Sequence, residues 1–234
     1  MFKPNDKTNF NEMDPTDIKD VLKALREPFD VDDIDWKPQN VKKDSAMALA
    51  FADPRVYIDR LNEVVGPTNW TRVFDFTVTP YVKFIKGKNP WGTPQGTPLP
   101  PDQYVNGNKV ICTAYVTVLG KIHSSTGESD ASDDNAATSS EAQAFKRACI
   151  AFGLGRYLYN LPKVEAPYSF GKFTTKPTLP DWAIPKIFCE DCKEIISPVE
   201  IKGHKYSVSW LVDNSKTKYD VKLCSHCQMK RVTK

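Results

Sequence analysis

Long apolar runs are missing from this chain: no stretch approaches the roughly 20 residues that would span a bilayer. The opening residues, Met1 to Phe10, are polar and lack the apolar core of a secretory signal. Together these absences predict a cytoplasmic (or nuclear) protein. No Gly-x-x-x-x-Gly-Lys-Ser/Thr phosphate loop is present, which is consistent with no need for ATP. Histidine is scarce, and His123 with its neighbour Ser124 lacks a third partner for a nucleophilic triad. There is no internal repeat and no heptad pattern. Net charge is only +3, a total that does not point to a nucleic-acid partner.

What is present is ordinary globular material, with 40% hydrophobic and 26% charged residues in 234 positions. That is enough for one substantial core and a small accessory module. Charge is unevenly placed. Residues 1–35 hold ten acidic and five basic side chains, whereas the last fifty hold ten basic and six acidic. Such an asymmetry steers DNA to one surface, draws neighbouring subunits together, or is plain solvated surface.

Helix signals open the chain. Asp14-Pro15 reads as an N-cap followed by a first-turn proline, with Ile18, Val21, Leu22 and Leu25 at helical spacing. An irregular stretch with Phe29, Ile34 and Trp36 follows, like a strap over a core. Asp53-Pro54 starts a second helix with the stripe Tyr57, Ile58, Leu61, Val64 and Val65, ended by Gly66-Pro67. Alternation then predicts strands: Phe74, Phe76 and Val78 share one face, and Val110, Cys112, Ala114, Val116 and Val118 share another. Lys86 to Asn108, containing Trp91, reads as a long functional or flexible loop, and Thr126-Gly127 as a turn. Thr138-Ser139-Ser140-Glu141 has the form of a capping box. Behind it Ala142, Phe145, Ala148, Cys149 and Phe152 form an apolar stripe. At 100° per residue Lys146 lies beside this stripe and Arg147 almost opposite it. Prolines after Leu161 mark a linker.

Four of six cysteines form two Cys-x-x-Cys pairs, Cys189/Cys192 and Cys224/Cys227, 31 residues apart. Thiolates at this spacing suit a tetrahedral, borderline-soft ion, so one structural Zn²⁺ per chain is expected, in a ribbon whose strands carry Tyr206, Val208, Trp210 and Tyr219, Val221, Leu223. With all four positions filled by protein, such a site leaves no room for catalysis. No thioredoxin-like strand–helix unit surrounds either pair, which disfavours a redox role.

The segment Glu141-Ala-Gln-Ala-Phe-Lys-Arg-Ala-Cys-Ile-Ala-Phe-Gly-Leu-Gly-Arg-Tyr-Leu-Tyr159 resembles the signature helix of the Rad52/Rad22 strand-annealing family, most closely its phage and prophage branch. A second block, from Arg55 through Asn62-Glu63 and Gly66 to Trp70, is similar to the family helix that precedes its sheet. The resemblance covers roughly 28–162. It implies a β-β-β-α core with a curved antiparallel sheet packed on the signature helix; with the small C-terminal zinc ribbon, which lies outside this shared core, the fold class expected is α+β. The domains expected are a helical segment 1–27, the annealing and oligomerising core 28–162, a linker 163–186 and the ribbon 187–234. It also implies a ring or helical arc of identical subunits with single-stranded DNA in an outer basic groove. Lys146 and Arg147 match the family's phosphate-contacting pair. A further family arginine falls at Val56 here, with Arg55 beside it, and Arg156 is a candidate for the same groove.

The function expected is therefore non-enzymatic: binding of single-stranded DNA and ATP-independent annealing in recombination and repair, in a protein of phage origin working in its host's cytoplasm. Lys and Arg on a rigid helix hold phosphates and leave base edges free to pair. End protection without annealing needs the same groove and stays open. So does an adaptor role for the ribbon, and so does partnership with a single-strand-binding protein or exonuclease. A metal-dependent nuclease would have to use Glu128, Asp130, Asp133 and Asp134, neighbours in a polar loop rather than carboxylates converging from rigid elements.

Overall fold

Asp14 and Asp53 start helices in the same way. Each carboxylate accepts the N–H two residues on, Thr16 at 2.8 Å and Arg55 at 2.9 Å, and each is followed by a proline whose missing donor costs nothing there. The computed structural model describes residues 9–89, 94–201 and 203–232, so Trp91 lies outside the described residues. Helix α1 (Pro15–Arg26) buries Val21 and Leu25, and α2 (Pro54–Val65) buries Tyr57, Leu61 and Val65. Arg60 on α2 caps the end of the first helix, donating to the carbonyls of Ala24, Glu27 and Pro28.

The strap carrying Ile34 and Trp36 is a strand. β1 (Ile34–Gln39) pairs antiparallel with β2 (Ser45–Ala52), an alanine-rich strand that sequence reading passed over. In the central sheet β3 (Trp70–Ile85), β4 (Gln103–Val118) and β5 (Lys121–Asp130) lie in that order, antiparallel throughout. β4 runs six residues further back than alternation predicted, so residues 103–108 belong to a sixteen-residue strand and the loop is correspondingly shorter. Cys112, Ala114, Val116 and Val118 are buried on one face of β4, beneath α3 (Ala136–Ile150). This is the β-β-β-α core, a curled antiparallel sheet closed by the signature helix.

Two local readings are corrected here. The hairpin between β4 and β5 turns at Leu119-Gly120, both with positive φ (46° and 80°), the geometry of a two-residue turn. Thr126-Gly127 is instead inside β5, opposite α3, where a Cβ on Gly127 would collide with the Ser140 carbonyl oxygen. The glycine marks close backbone approach, not a turn. The helix likewise starts before the supposed capping box. Asn135 precedes it without a side-chain cap, and Ser140 is buried with its hydroxyl turned back to the Ala137 carbonyl at 2.8 Å.

Strands β6 (Val164–Ser169) and β7 (Lys172–Phe173) extend the β1–β2 sheet, with β6 on β2. Most of the proline-bearing stretch after Leu161 therefore belongs to the first compact unit, Met1–Ala183, and a second unit spans Ile184–Lys234. In that second unit β8 (Val199–Ile201) and β9 (His204–Tyr206) form a hairpin, followed by α4 (Val208–Tyr219) and α5 (Ser225–Val232). The expected strand alternation through Val208 and Trp210 is overturned. Ser207 caps a helix by accepting from the Trp210 N–H at 3.2 Å, and Leu211, Val212 and Ser215 are buried along it.

Candidate nucleic-acid interface and metal site

Lys146 and Arg147 are neighbours in sequence whose side chains serve different strands. Lys146 is half-buried. Its Nζ donates to the Ala52 carbonyl at 3.1 Å and stands 5.7 Å from the centre of the Phe51 ring, a cation–π arrangement. Burial pulls its pKa below the ordinary lysine value, while Asp53 opposes the shift and Lys37 adds to it. Arg147 is exposed and donates through Nη1 to the Thr126 carbonyl at 2.8 Å; one turn earlier, Gln143 donates to the Glu128 carbonyl at 3.1 Å. Both acceptors lie on β5, an edge strand, so α3 covers part of its otherwise open ladder.

Lys146, but not Arg147, lines an open groove of about 520 Å³. Two more lysines border it, Lys37 from β1 and Lys163 from just before β6, together with Phe51 and Tyr159. Tyr159 is 66% exposed. Amines on an aromatic and aliphatic floor form the combination that grips a sugar–phosphate chain while offering rings for bases. The sequence marks Tyr159 only as the end of the family-like segment, and it does not single out Lys37, Phe51 or Lys163. Nothing local marks them, because three separate segments bring them to Lys146.

The remaining candidates stand apart from that lining. Arg156 is exposed at the start of a short 3-10 turn, Arg156–Asn160. Arg55 has a 90% exposed side chain, 4.0 Å from Asp53, and Val56 packs against the core. Tyr157 is a core residue, its hydroxyl accepting the Phe29 N–H at 3.1 Å. Burial pushes that phenol up to about 12. The family-like pair Asn62 and Trp70 is joined directly, the indole N–H donating to Asn62 Oδ1 at 2.8 Å.

Two members of the acidic run, Glu128 and Asp130, lie on β5 and are occupied by cations and hydroxyls. Asp130 accepts from Tyr81 at 2.6 Å, Lys83 at 2.7 Å and the Ser132 hydroxyl at 2.7 Å, and Glu128 pairs with Lys109 at 2.9 Å. Among the described residues the only group of three or more metal-type ligands is Cys189, Cys192, Cys224 and Cys227, whose sulfurs all lie within 4.8 Å of one another. Cys192 and Cys224 Sγ are 3.7 Å apart, far beyond a disulfide bond. That separation is close to the edge of about 3.8 Å that a tetrahedron with ~2.3 Å metal–sulfur bonds requires. Burial alone would raise the Cys189 thiol, but the backbone N–H groups of Cys192, Cys224 and Asp191 outweigh it and bring it to about 6. The donor set thus suits a thiophilic cation, with the first thiolate already favoured.

Sequence comparison gives this fold its family: residues 17–175 match the Rad52/22 family of double-strand break repair proteins. The chain belongs to that family. It is similar to the single-stranded DNA-binding protein DdrA of Deinococcus radiodurans, 30% identical over 172 residues that cover 72% of this chain and 69% of the relative. The protein of the same name from Deinococcus deserti is 34% identical over 172 residues, covering 72% of each chain. No solved structure matches the chain.

Proposed function

We propose that this protein binds single-stranded DNA along the Lys146 groove and anneals complementary strands without ATP, in recombination or repair. The observation that carries the reading is the meeting of Lys37, Lys146 and Lys163 with Phe51 and Tyr159 on one groove. Its support is family membership and similarity to the DdrA proteins, which are single-stranded DNA-binding proteins by name. Cations without base-edge donors hold the backbone irrespective of sequence, and base pairing itself drives annealing. A phosphate reaching Lys146 replaces the Ala52 carbonyl as the amine's partner and offsets its burial. Arg147, Arg156 and Arg55 would lie along the path of the strand beyond the groove. No catalytic step is assigned to any residue.

Self-association into a ring or arc is part of the proposal. Val78, Val82, Phe84 and Tyr104, on the long β3–β4 hairpin, are exposed large apolar side chains, an arrangement that seeks a partner surface. The first unit would carry DNA binding and assembly, and the four cysteines of the second would hold one structural zinc. A phage origin and a cytoplasmic site of action complete the proposal. Among the described residues no helix is long and apolar enough to cross a membrane.

The test is annealing of complementary oligonucleotides with EDTA present and nucleotide absent. Annealing that requires magnesium or ATP, or that survives loss of all three groove lysines, overturns the proposal.

A further inference from the structure

The second unit lies beyond residue 175, where the family match ends. Its hairpin sets Val199 opposite Tyr206 and Ile201 opposite His204, so these four share one face by strand alternation. Val199 and Tyr206 pack on the unit's own core, whereas Ile201 and His204 carry the face outward into solvent. Trp210, in the first turn of α4, lies against Tyr206 with ring centroids 4.5 Å apart and planes inclined by 43°. It remains 47% exposed. An indole kept half in water, propped by a second ring, does more than close a small core.

The unit that carries this face is cationic as a whole. Residues 184–234 contain ten Lys and Arg against six Asp and Glu, a net of +4. Subtracting that from the chain's +3 leaves −1 for residues 1–183, so the protein's whole positive excess sits in this unit. A purely apolar partner would have no use for that excess. A ligand with flat π faces and a regular negative backbone uses both features.

We propose that the Tyr206–Trp210 face is a second contact for single-stranded polynucleotide, stacking a base on Trp210 while lysines of the unit hold neighbouring phosphates. It is distinct from the Lys146 groove and fails or stands separately from it.

Photo-crosslinking of full-length, metal-loaded protein to iodouracil-substituted oligothymidylate, mapped by mass spectrometry, tests this. An oligouridylate arm separates DNA from RNA. The expected result is a crosslink on the peptide containing Tyr206 and Trp210, retained when Lys146 and Arg147 are both changed to alanine. Trp210→Ala should weaken binding by roughly 5- to 100-fold, and Trp210→Phe much less, since stacking is worth about 1–3 kcal/mol per base. Metal content and far-UV circular dichroism check that the variants are folded. If Trp210→Ala fails that check, the crosslink on the wild-type chain decides. Absence of any crosslink in residues 184–234, or unchanged affinity of a folded Trp210→Ala protein, overturns the proposal and leaves the face to a protein partner. Loss of binding on changing Lys146 and Arg147, with Trp210 inert, supports the core groove alone.

Discussion

Lys146 spans from α3 to the last residue of β2, where its amine donates to the Ala52 carbonyl at 3.1 Å. The bond holds a cation at the mouth of a groove, half-desolvated and available to an anion. Lys146→Met keeps the stem packed on Phe51 and removes only the charge. It should weaken single-strand binding at all sequences alike and reduce the slope of log affinity against log salt by about 1. Fluorescence anisotropy across a salt series measures both; an unchanged slope would remove Lys146 from the interface.

Arg147 has a structural duty at the β5 edge that Lys146 lacks. Arg147→Ala alone should cost about 1 kcal/mol by freeing the Thr126 carbonyl, read as a shift in urea midpoint. The double change Lys146→Ala with Arg147→Ala should abolish annealing while light scattering reports an intact oligomer. A correctly assembled double variant that anneals at the wild-type rate contradicts the proposed role of the pair.

The Asn62–Trp70 bond ties the end of α2 to the first residue of β3. Asn62→Leu should destabilise the first unit by roughly 1–3 kcal/mol, because a part-buried indole N–H loses its acceptor. Affinity for DNA, measured well below the unfolding temperature, should hardly change. A loss of affinity without a loss of stability would assign Asn62 to the interface instead.

Asp130 introduces a pH dependence. Hydrogen bonds from Lys83, Tyr81 and Ser132 hold its carboxyl well below the ordinary value of 3.8. A carboxylate whose folded pKa is depressed contributes stability that is fully present above the unfolded value and lost as pH falls through the folded one. The contribution should therefore be constant near neutrality and decline below about pH 4. Comparing acid titrations of the wild-type chain with Lys83→Met and Tyr81→Phe by thermal melting checks this, and curves that stay parallel below pH 4 refute it.

Removal of metal should act on one unit only. A strong chelator at neutral pH should abolish the helix signal of α4 and α5 and leave the first unit's melting transition in place, since a structural ion's binding energy is folding energy. Metal analysis should return one zinc per chain, and Cys192→Ser should lose it. A second unit that stays folded without metal would show its core to be self-sufficient.

Local chemistry was legible without coordinates. Asp-Pro pairs at 14–15 and 53–54, the alternation from Val110 to Val118 and the two Cys-x-x-Cys spacings are each decided within a few residues, by capping, pleat and ligand geometry. Their positions follow from sequence by itself, as does the pairing of α3 with a β-β-β sheet once the family-like segments are read. The tertiary structure decided the rest. Gly127 looks like a turn residue until α3 presses its backbone against the strand. Val208 and Trp210 alternate like a strand until Ser207 and the buried Leu211, Val212 and Ser215 make a helix cheaper. Lys37, Phe51 and Lys163 carry no pattern at all, and Tyr159 is marked only as the end of the family-like segment, because a groove between a sheet and a helix is defined by packing across more than a hundred residues of chain, and periodicity within a segment cannot encode it.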